Sequence, residues 1–426
     1  MIDIKLIRET PDLVRESLKR RGEDDAAIHR ILKLDGERLE TIQKAEKLKE
    51  LRNKVSDEIA AMKKSKENAD DKIAEMRKVS DEVKSLDETQ KAIEKQIDDE
   101  LIHIANIPAK DVPEGKDARE NVGVSIWGEK KSFDFKVKDH MELAKIHDIL
   151  DFERGAKITG SGFPLYKGKG ATLERALWNF MLDTHISKGY VEVLPPILVN
   201  RASMEATEKV PKFEEDMYYI EKDDLYAIPT AEVPIINIHR DEIFREDELP
   251  VRYCGFTNCF RREAGSYGKD TKGFLRTHQF NKVELVNFCK PEDSFTQLEE
   301  MLKDACAIVE ALGLHYRVIE LCTGDLGFSS AKTYDIEVWS YGEDTWLEAS
   351  SVSNFTDFQS RHGKIRYKKM LEGGKTKTEF VDILNGSGLA TSRLIVALLE
   401  SNQDEKGNLS VPEVLRKYTG FDKIEA

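Results

Sequence analysis

The sequence predicts an α+β fold, in which an antiparallel sheet flanked by helices follows a long antiparallel helical hairpin. Three observations carry this. Residues 28–104 hold two runs whose apolar positions recur every three or four residues, the spacing of a helix face. Two later stretches, 260–284 and 334–351, alternate like paired strands around turn-rich centres. Finally, the glycine-rich stretches fit neither nucleotide loop that opens a βαβ unit: 162–168 is one residue too long for a phosphate loop, and the dinucleotide fingerprint is missing.

At 426 residues the chain has room for two or three domains, or for one large domain with an appendage. Hydrophobic residues make up 40% and charged residues 34%, which suits a soluble protein with a heavily solvated, elongated part. The net charge is -14, so any nucleic-acid contact has to come from local basic surface. Five cysteines, Cys254, Cys259, Cys289, Cys306 and Cys322, form no CxxC pair, which points to a reducing compartment and to thiols used as small core residues. The amino terminus lacks an uninterrupted apolar run, and no eighteen consecutive apolar residues occur anywhere. Both argue against secretion and against membrane spanning, and a cytoplasmic location is expected.

In chain order, residues 1–25 form a leading segment with one amphipathic helix around 11–20. The first arm, 28–62, has no proline and places Leu48, Leu51, Val55, Ile59 and Met62 on one face. A second run, Ile73, Met76, Val79, Val83, Leu86, Ile93, Ile97, Leu101 and Ile104, repeats the spacing, and the polar stretch KKSKENADD between the two is the tip. At about 1.5 Å per residue the arms project on the order of 50 Å, a two-stranded antiparallel coiled coil. Residues 41–66 carry eight basic and four acidic side chains, whereas 70–100 carry six and eleven. One arm is therefore suited to an RNA backbone; charge pairing between solvated arms is the other reading.

Prolines and turn formers in 106–122 mark a boundary between an amino-terminal helical domain, 1–108, and a second domain, 109–426. Phe133, Phe135 and Val137 alternate like a strand, and 140–150 reads as a helix. Next come a strand hairpin at 155–170, an amphipathic helix over 173–187, and a buried strand, YVEVLPPILVN, closed by Pro195 and Pro196.

Four stretches then carry chemistry-bearing side chains. After a short strand ending at Pro229 stand Thr230, Ala231 and Glu232, either a helix cap or a ligand contact. In 260–284 alternation turns Arg261 and Glu263 one way, and likewise Phe280, Lys282 and Glu284. Such a face offers guanidinium to phosphate, carboxylate to an amine, and an aromatic ring to a base. Glu348 and Ser351 end the second of two strands, 334–339 and 345–351. Last, a strand reaching Leu384 meets a turn at 385–388, then a helix with Arg393 in its first turns.

The order Phe-Arg-x-Glu, Gly-rich loop, Arg, His-Gln-Phe, Glu resembles motif 2 of the class II aminoacyl-tRNA synthetases, in the form seen in the seryl-tRNA synthetase family. The helix, strand and proline order of 173–196 resembles motif 1, which in that family forms the dimer interface, and 380–393 resembles motif 3. The resemblance implies a class II antiparallel sheet, ATP and L-serine as substrates, Mg2+, a homodimer, and tRNA(Ser), with tRNA(Sec) as a further acceptor. The family's hairpin grips the long variable arm of its tRNA. It further implies that Thr230, Ala231, Glu232, Arg261, Glu284, Asn385 and Ser387 meet serine, with Thr230 and Glu284 on the ammonium.

On the same basis Arg261 meets the α-phosphate, Glu263 the adenine amino group, Phe280 the ring and Arg393 the γ-phosphate. Arg262, Arg276, Thr277, His278, Gln279, Glu348, Ala349, Ser350 and Ser351 complete the nucleotide set, and Glu348 and Ser351 hold Mg2+. Arg261, Glu348 and Arg393 are thus the expected catalytic groups. The loop 264–273 is expected to admit the acceptor end of tRNA. His278 is expected to be structural, because serine's carboxylate is already ionised and needs no base. Three alternatives remain: an adenylate-forming enzyme that loads another carrier, which would lack the hairpin; a zinc-dependent relative, which would need a pocket cysteine; and a coiled-coil scaffold, which would leave the second domain unexplained.

Overall fold

The computed structural model describes residues 1–263 and 275–425; the predicted acceptor loop, 264–273, lies outside them. The described chain divides into two compact units, residues 1–105 and 106–426. No described helix is long and apolar enough to cross a membrane.

In the first unit, α1 (Ile4–Glu9) and α2 (Pro11–Arg20) precede two long helices, α3 (Ala26–Lys64) and α4 (Asp70–Leu101), which reverse at 65–69. Their seam buries Ile28, Ile31 and Ala45 from α3 and Val79, Val83, Ile93, Ile97 and Leu101 from α4. Leu51, predicted on the seam, stays 42% exposed, because two helices alone cannot enclose a core. The arms also pair by charge: Arg30 with Glu100, Lys49 with Asp87 and Lys72 with Glu58, in antiparallel register. Asp35 is buried and accepts from Arg8 Nε at 2.5 Å and from Arg38 Nη2 at 2.9 Å, which ties α1 to α3.

The second unit is built on an eight-stranded sheet. Its strands are β1 (Val122–Trp127), β2 (Val191–Glu192), β3 (Val251–Phe260), β4 (Gln279–Cys289), β5 (Tyr316–Glu320), β6 (Lys332–Ser340), β7 (Thr345–Asn354) and β8 (Asp382–Ala390). Their order is β1-β5-β6-β7-β8-β4-β3-β2, antiparallel throughout except for the parallel β2–β3 edge. Helices α5 (Lys169–Ser187), α6 (Ser294–Ala311) and α7 (Thr391–Ser401) pack on one face, where Leu177, Met181, Met301 and Leu394 meet Cys254, Val283, Leu285 and Val352. All five cysteines are buried and free. The strand period of two then decides the other face: along β4, Phe280, Lys282 and Glu284 turn away from the side on which Val283 and Leu285 are buried.

Four predicted elements differ. Residues 133–137 form no strand; Phe133 instead packs edge-on against Phe135 and Tyr341, both at 5.2 Å. The sheet's first strand lies earlier, at β1. The predicted hairpin at 155–170 opens on a helix, Phe152–Thr159, and only Leu165–Tyr166 pairs, with Leu150–Asp151. The stretch 191–200 is not one buried strand: β2 pairs over two residues, Val191 and Leu194 are 58% and 84% exposed, the prolines at 195 and 196 cannot donate and interrupt the ladder, and Leu198–Asn200 pairs separately with Leu225–Ala227, burying Val199. Finally, Asn385–Gly388 is no turn but the interior of β8. Its glycines serve close packing: a Cβ on Gly386 would stand 3.0 Å from Val352, and one on Gly388 would stand 2.7 Å from His185 Nε2.

Candidate active site

Two adjoining cavities of about 380 and 210 Å³ open on the other face of the sheet, beside a second apolar cluster that buries Val286, Phe288 and Ile383. Arg261, Glu263, Arg276, Lys282, Glu348 and Ser387 line both and so form the seam. The larger cavity runs from the seam to Thr230, Glu232, Glu284 and Asn385, and the smaller to Thr277, Phe280, Ala349, Ser350 and Arg393.

Two β-bulges assemble this set. The β6–β7 register jumps from Ile336↔Ser350 to Glu337↔Glu348, leaving Ala349 as the extra residue. Glu348 and Ser351 lie three apart, a separation that a regular strand sends to opposite faces; the bulge returns both to the cavity. In β8 the extra residue is Gly388, so that Asn385 and Ser387 line the cavity while Leu389 is buried in the core behind it.

At the closed end of the larger cavity, Thr230 Oγ1 donates to Glu284 Oε2 at 2.6 Å, with both residues buried. Thr230 Oγ1 also accepts from the Glu232 backbone N–H at 3.2 Å, which leaves it one lone pair, and Glu284 also pairs with the buried Lys282 ammonium. Glu232 is buried beside them. Burial alone would raise its pKa, but Lys209 at 3.0 Å and the Gln359 amide at 2.7 Å hold it below the ordinary value. The Asn385 amide nitrogen is buried without a hydrogen-bond partner. At the seam, Arg261 donates from Nε to the Pro229 carbonyl at 3.3 Å, and its guanidinium lies 5.2 Å from the Phe280 ring centroid. Glu263 pairs with Arg276, and Glu348 with Arg393, whose Nη1 also donates to the Glu348 carbonyl at 2.7 Å. Asp335 sits behind Ser351; burial and the nearby Glu348 charge push its pKa well up.

Four of the residues named from the sequence line neither cavity. Arg262 turns away, with its Nε donating to the Met217 carbonyl at 2.9 Å and its guanidinium 4.8 Å over Tyr218; the second guanidinium of the seam belongs to Arg276. His278 bonds the Arg261 carbonyl at 3.0 Å, and Gln279 is exposed at the start of β4. Ala231 is fully buried in the apolar cluster beneath. Conversely, Lys209, Asp216, Ser353 and Ser392 line the site without having been singled out. Lys282 had a legible signal, two residues before Glu284 on one strand face, whereas Lys209 sits in a segment with no periodicity.

An antiparallel sheet carrying paired arginines and acids in a two-part groove, with no phosphate loop, defines a class II aminoacyl-tRNA synthetase core. Residues 212–402 match the family model of the tRNA synthetase class II core domain (G, H, P, S and T). Residues 1–108 match that of the seryl-tRNA synthetase N-terminal domain. Over 433 aligned residues the chain is 53% identical to the serine–tRNA ligase of Chlorobaculum parvum, with 100% of each covered. Its structure resembles the seryl-tRNA synthetase of Pyrococcus horikoshii complexed with ATP, at TM-score 0.92 and 39% identity over 100% of this chain and 99% of that one. It also resembles the cytoplasmic serine–tRNA ligase of Naegleria fowleri in complex with AMP, at TM-score 0.89 and 32% identity over the same shares. The chain belongs to the seryl-tRNA synthetase family.

Proposed function

We propose that this serine–tRNA ligase works in two steps in the paired cavities. Serine's carboxylate attacks the α-phosphorus of ATP, giving seryl-adenylate as pyrophosphate leaves. A terminal ribose hydroxyl of tRNA then attacks the seryl carbonyl, and AMP leaves. The observation that carries the reading is the order of groups along one groove: a small polar pocket at Thr230 and Glu284, a guanidinium at the seam, then an aromatic face with an arginine beyond it.

Serine's ammonium is held by Glu284 and by the remaining lone pair of Thr230, and the Asn385 amide and the Ser387 hydroxyl meet the rest of the amino acid. Water exclusion at this closed end is what makes the charge-assisted contact strong. Arg261 stabilises charge on the phosphate as the bond to pyrophosphate lengthens. Phe280 stacks on the adenine, Glu263 accepts from its amino group, and Arg393 meets the terminal phosphate. The acids and bases of the site pair with one another, Glu284 with Lys282, Glu263 with Arg276 and Glu348 with Arg393. A ligand that carries both ammonium and phosphates enters by exchanging partners, so that no buried charge is left alone.

For Mg2+ the donor set fits. Glu348 and Ser351 offer two oxygens at the cavity wall, and no cluster of three or more metal-binding side chains occurs among the described residues. Mg2+ commonly takes one or two protein oxygens and fills its shell with phosphates and water. Held by Glu348 and Ser351, it would neutralise phosphate charge.

The exposed apolar residues Val191, Leu194, Ile197 and Leu198 support a homodimer through this edge, and the basic first arm supports tRNA backbone contact. The decisive experiment is serine-dependent exchange of pyrophosphate into ATP, run against threonine, alanine and glycine, followed by charging of tRNA(Ser) and tRNA(Sec). Serine alone should support exchange; equal rates with alanine or threonine would overturn the pocket assignment.

A further inference from the structure

One carboxylate buried behind the nucleotide end of the groove has no part in the mechanism above. Glu174, on α5, is 4% exposed. Its Oε1 accepts from Asn281 Nδ2 at 2.7 Å and from Thr391 Oγ1 at 2.5 Å. Thr391 Oγ1 lies 3.2 Å from the Asn281 carbonyl oxygen as well, and Asn281 Oδ1 accepts from Asn258 Nδ2 at 2.5 Å. A single oxygen therefore joins three elements: α5, the β4 residue between Phe280 and Lys282, and the first residue of α7, two before Arg393.

We propose that Glu174 is a positioning residue for the nucleotide: through Asn281 and Thr391 it sets the spacing between the aromatic face of Phe280 and the guanidinium of Arg393. This rests on the reading of those two residues as the two ends of the ATP site. The spacing depends on the ionisation of Glu174. As a carboxylate it only accepts, and Oε1 can take both donors. As a carboxylic acid it carries its hydrogen on Oε2, where the Tyr166 hydroxyl can accept it, and the uncharged Oε1 then holds the Asn281 and Thr391 donors more weakly, so the network slackens.

The environment makes that proton available near neutrality. Burial pushes the Glu174 pKa up to about 7, against hydrogen bonds from Thr391, Asn281 and Tyr166 that lower it. The titratable group facing it is the buried Tyr166 hydroxyl, from Leu165–Tyr166, and its pKa is itself driven well up by burial. Asn281 from β4 and Thr391 from α7 are neutral. Among the described residues no lysine, arginine, histidine or second acid contributes to its ionisation.

The test is pyrophosphate exchange by the full chain between about pH 6 and pH 8.5, a range centred on the shifted carboxyl, for wild type and Glu174→Gln. At the high end the variant should show a KM for ATP raised about fivefold, the equivalent of about 1 kcal/mol of lost charge assistance in the two hydrogen bonds. At the low end the two KM values converge, and KM for serine is unchanged throughout. ATP's own ionisation is common to both proteins and cancels in their ratio. A ratio independent of pH, or a parallel rise in KM for serine, overturns the proposal. Should Glu174→Gln fold poorly, Thr391→Val, which removes one donor and leaves the carboxyl, should produce the same selective rise; no rise is an equal refutation. Phe280→Ala separates the two claims: if it leaves KM for ATP unaltered, the nucleotide site itself is misassigned, whatever Glu174 does.

Discussion

Lys49 meets Asp87 across the helical arms with both side chains 42% exposed, whereas Lys282 meets Glu284 in the groove at 8% and 2%. The chemical pair is the same and the consequence differs. An exposed pair contributes well under about 1 kcal/mol and is screened by salt, whereas removing one partner of a buried pair costs about 3–5 kcal/mol. Charge on the arms is thus weakly held and screened by solvent. In the groove, by contrast, Lys282 and Glu284 hold each other in a buried pair.

The largest expected effect falls in the sheet. Arg261→Ala should lower serine-dependent pyrophosphate exchange by about 10³-fold, as removal of one stabilising donor does elsewhere, with the circular dichroism spectrum intact. Exchange at the parental rate would remove the phosphate assignment. Removing residues 1–105 should cut tRNA charging by roughly a hundredfold through lost phosphate contacts while exchange persists. Equal loss of both activities would merge the two regions that the comparison separates.

Stability offers a more direct contrast. Lys282→Met should cost about 3 kcal/mol by leaving Glu284 buried and unpaired, against less than about 0.5 kcal/mol for Lys49→Met, read as shifts of the urea midpoint. Similar shifts would sink the contrast. The finest test is pH. In the arms, burial of Asp35 would raise its pKa, but the hydrogen bonds from Arg8 and Arg38 outweigh this and hold it below the ordinary value. Its contribution is therefore present at neutral pH and lost as pH falls through the carboxylate range. In the sheet unit burial raises Asp382 to about 7, so the folded state holds a proton there that the unfolded chain has lost. Stability from that group declines as pH rises from about 4 to 7, and Asp382→Asn should flatten this part of the urea-midpoint profile.

Legibility differed between the regions for one reason. A helix repeats within four residues, so the arms, their tip and their charge imbalance could be read directly, and α3 and α4 end within three residues of the predicted runs. The paired strands β3–β4 and β6–β7 were legible through alternation and turn composition. Local pattern misled where burial depends on a distant partner. The apolar run 190–200 reads like one core strand but is broken at its prolines, with Val191 and Leu194 exposed, and the glycines of 385–388 read like a turn but lie beneath Val352 and His185.

The sequence by itself determined which side chains were available to the site, which lay close together along each strand, and that a stiff helix pair would precede them. The tertiary structure alone decided that Glu348 and Ser351 share a face, that Arg276 rather than Arg262 joins Arg261 at the seam, and that the Lys282–Glu284 pair is buried. The physical reason is range. Helical and strand periods are set by neighbouring residues, whereas a bulge exists only against a partner strand, and an ion pair has its strength only once the rest of the chain has excluded water around it.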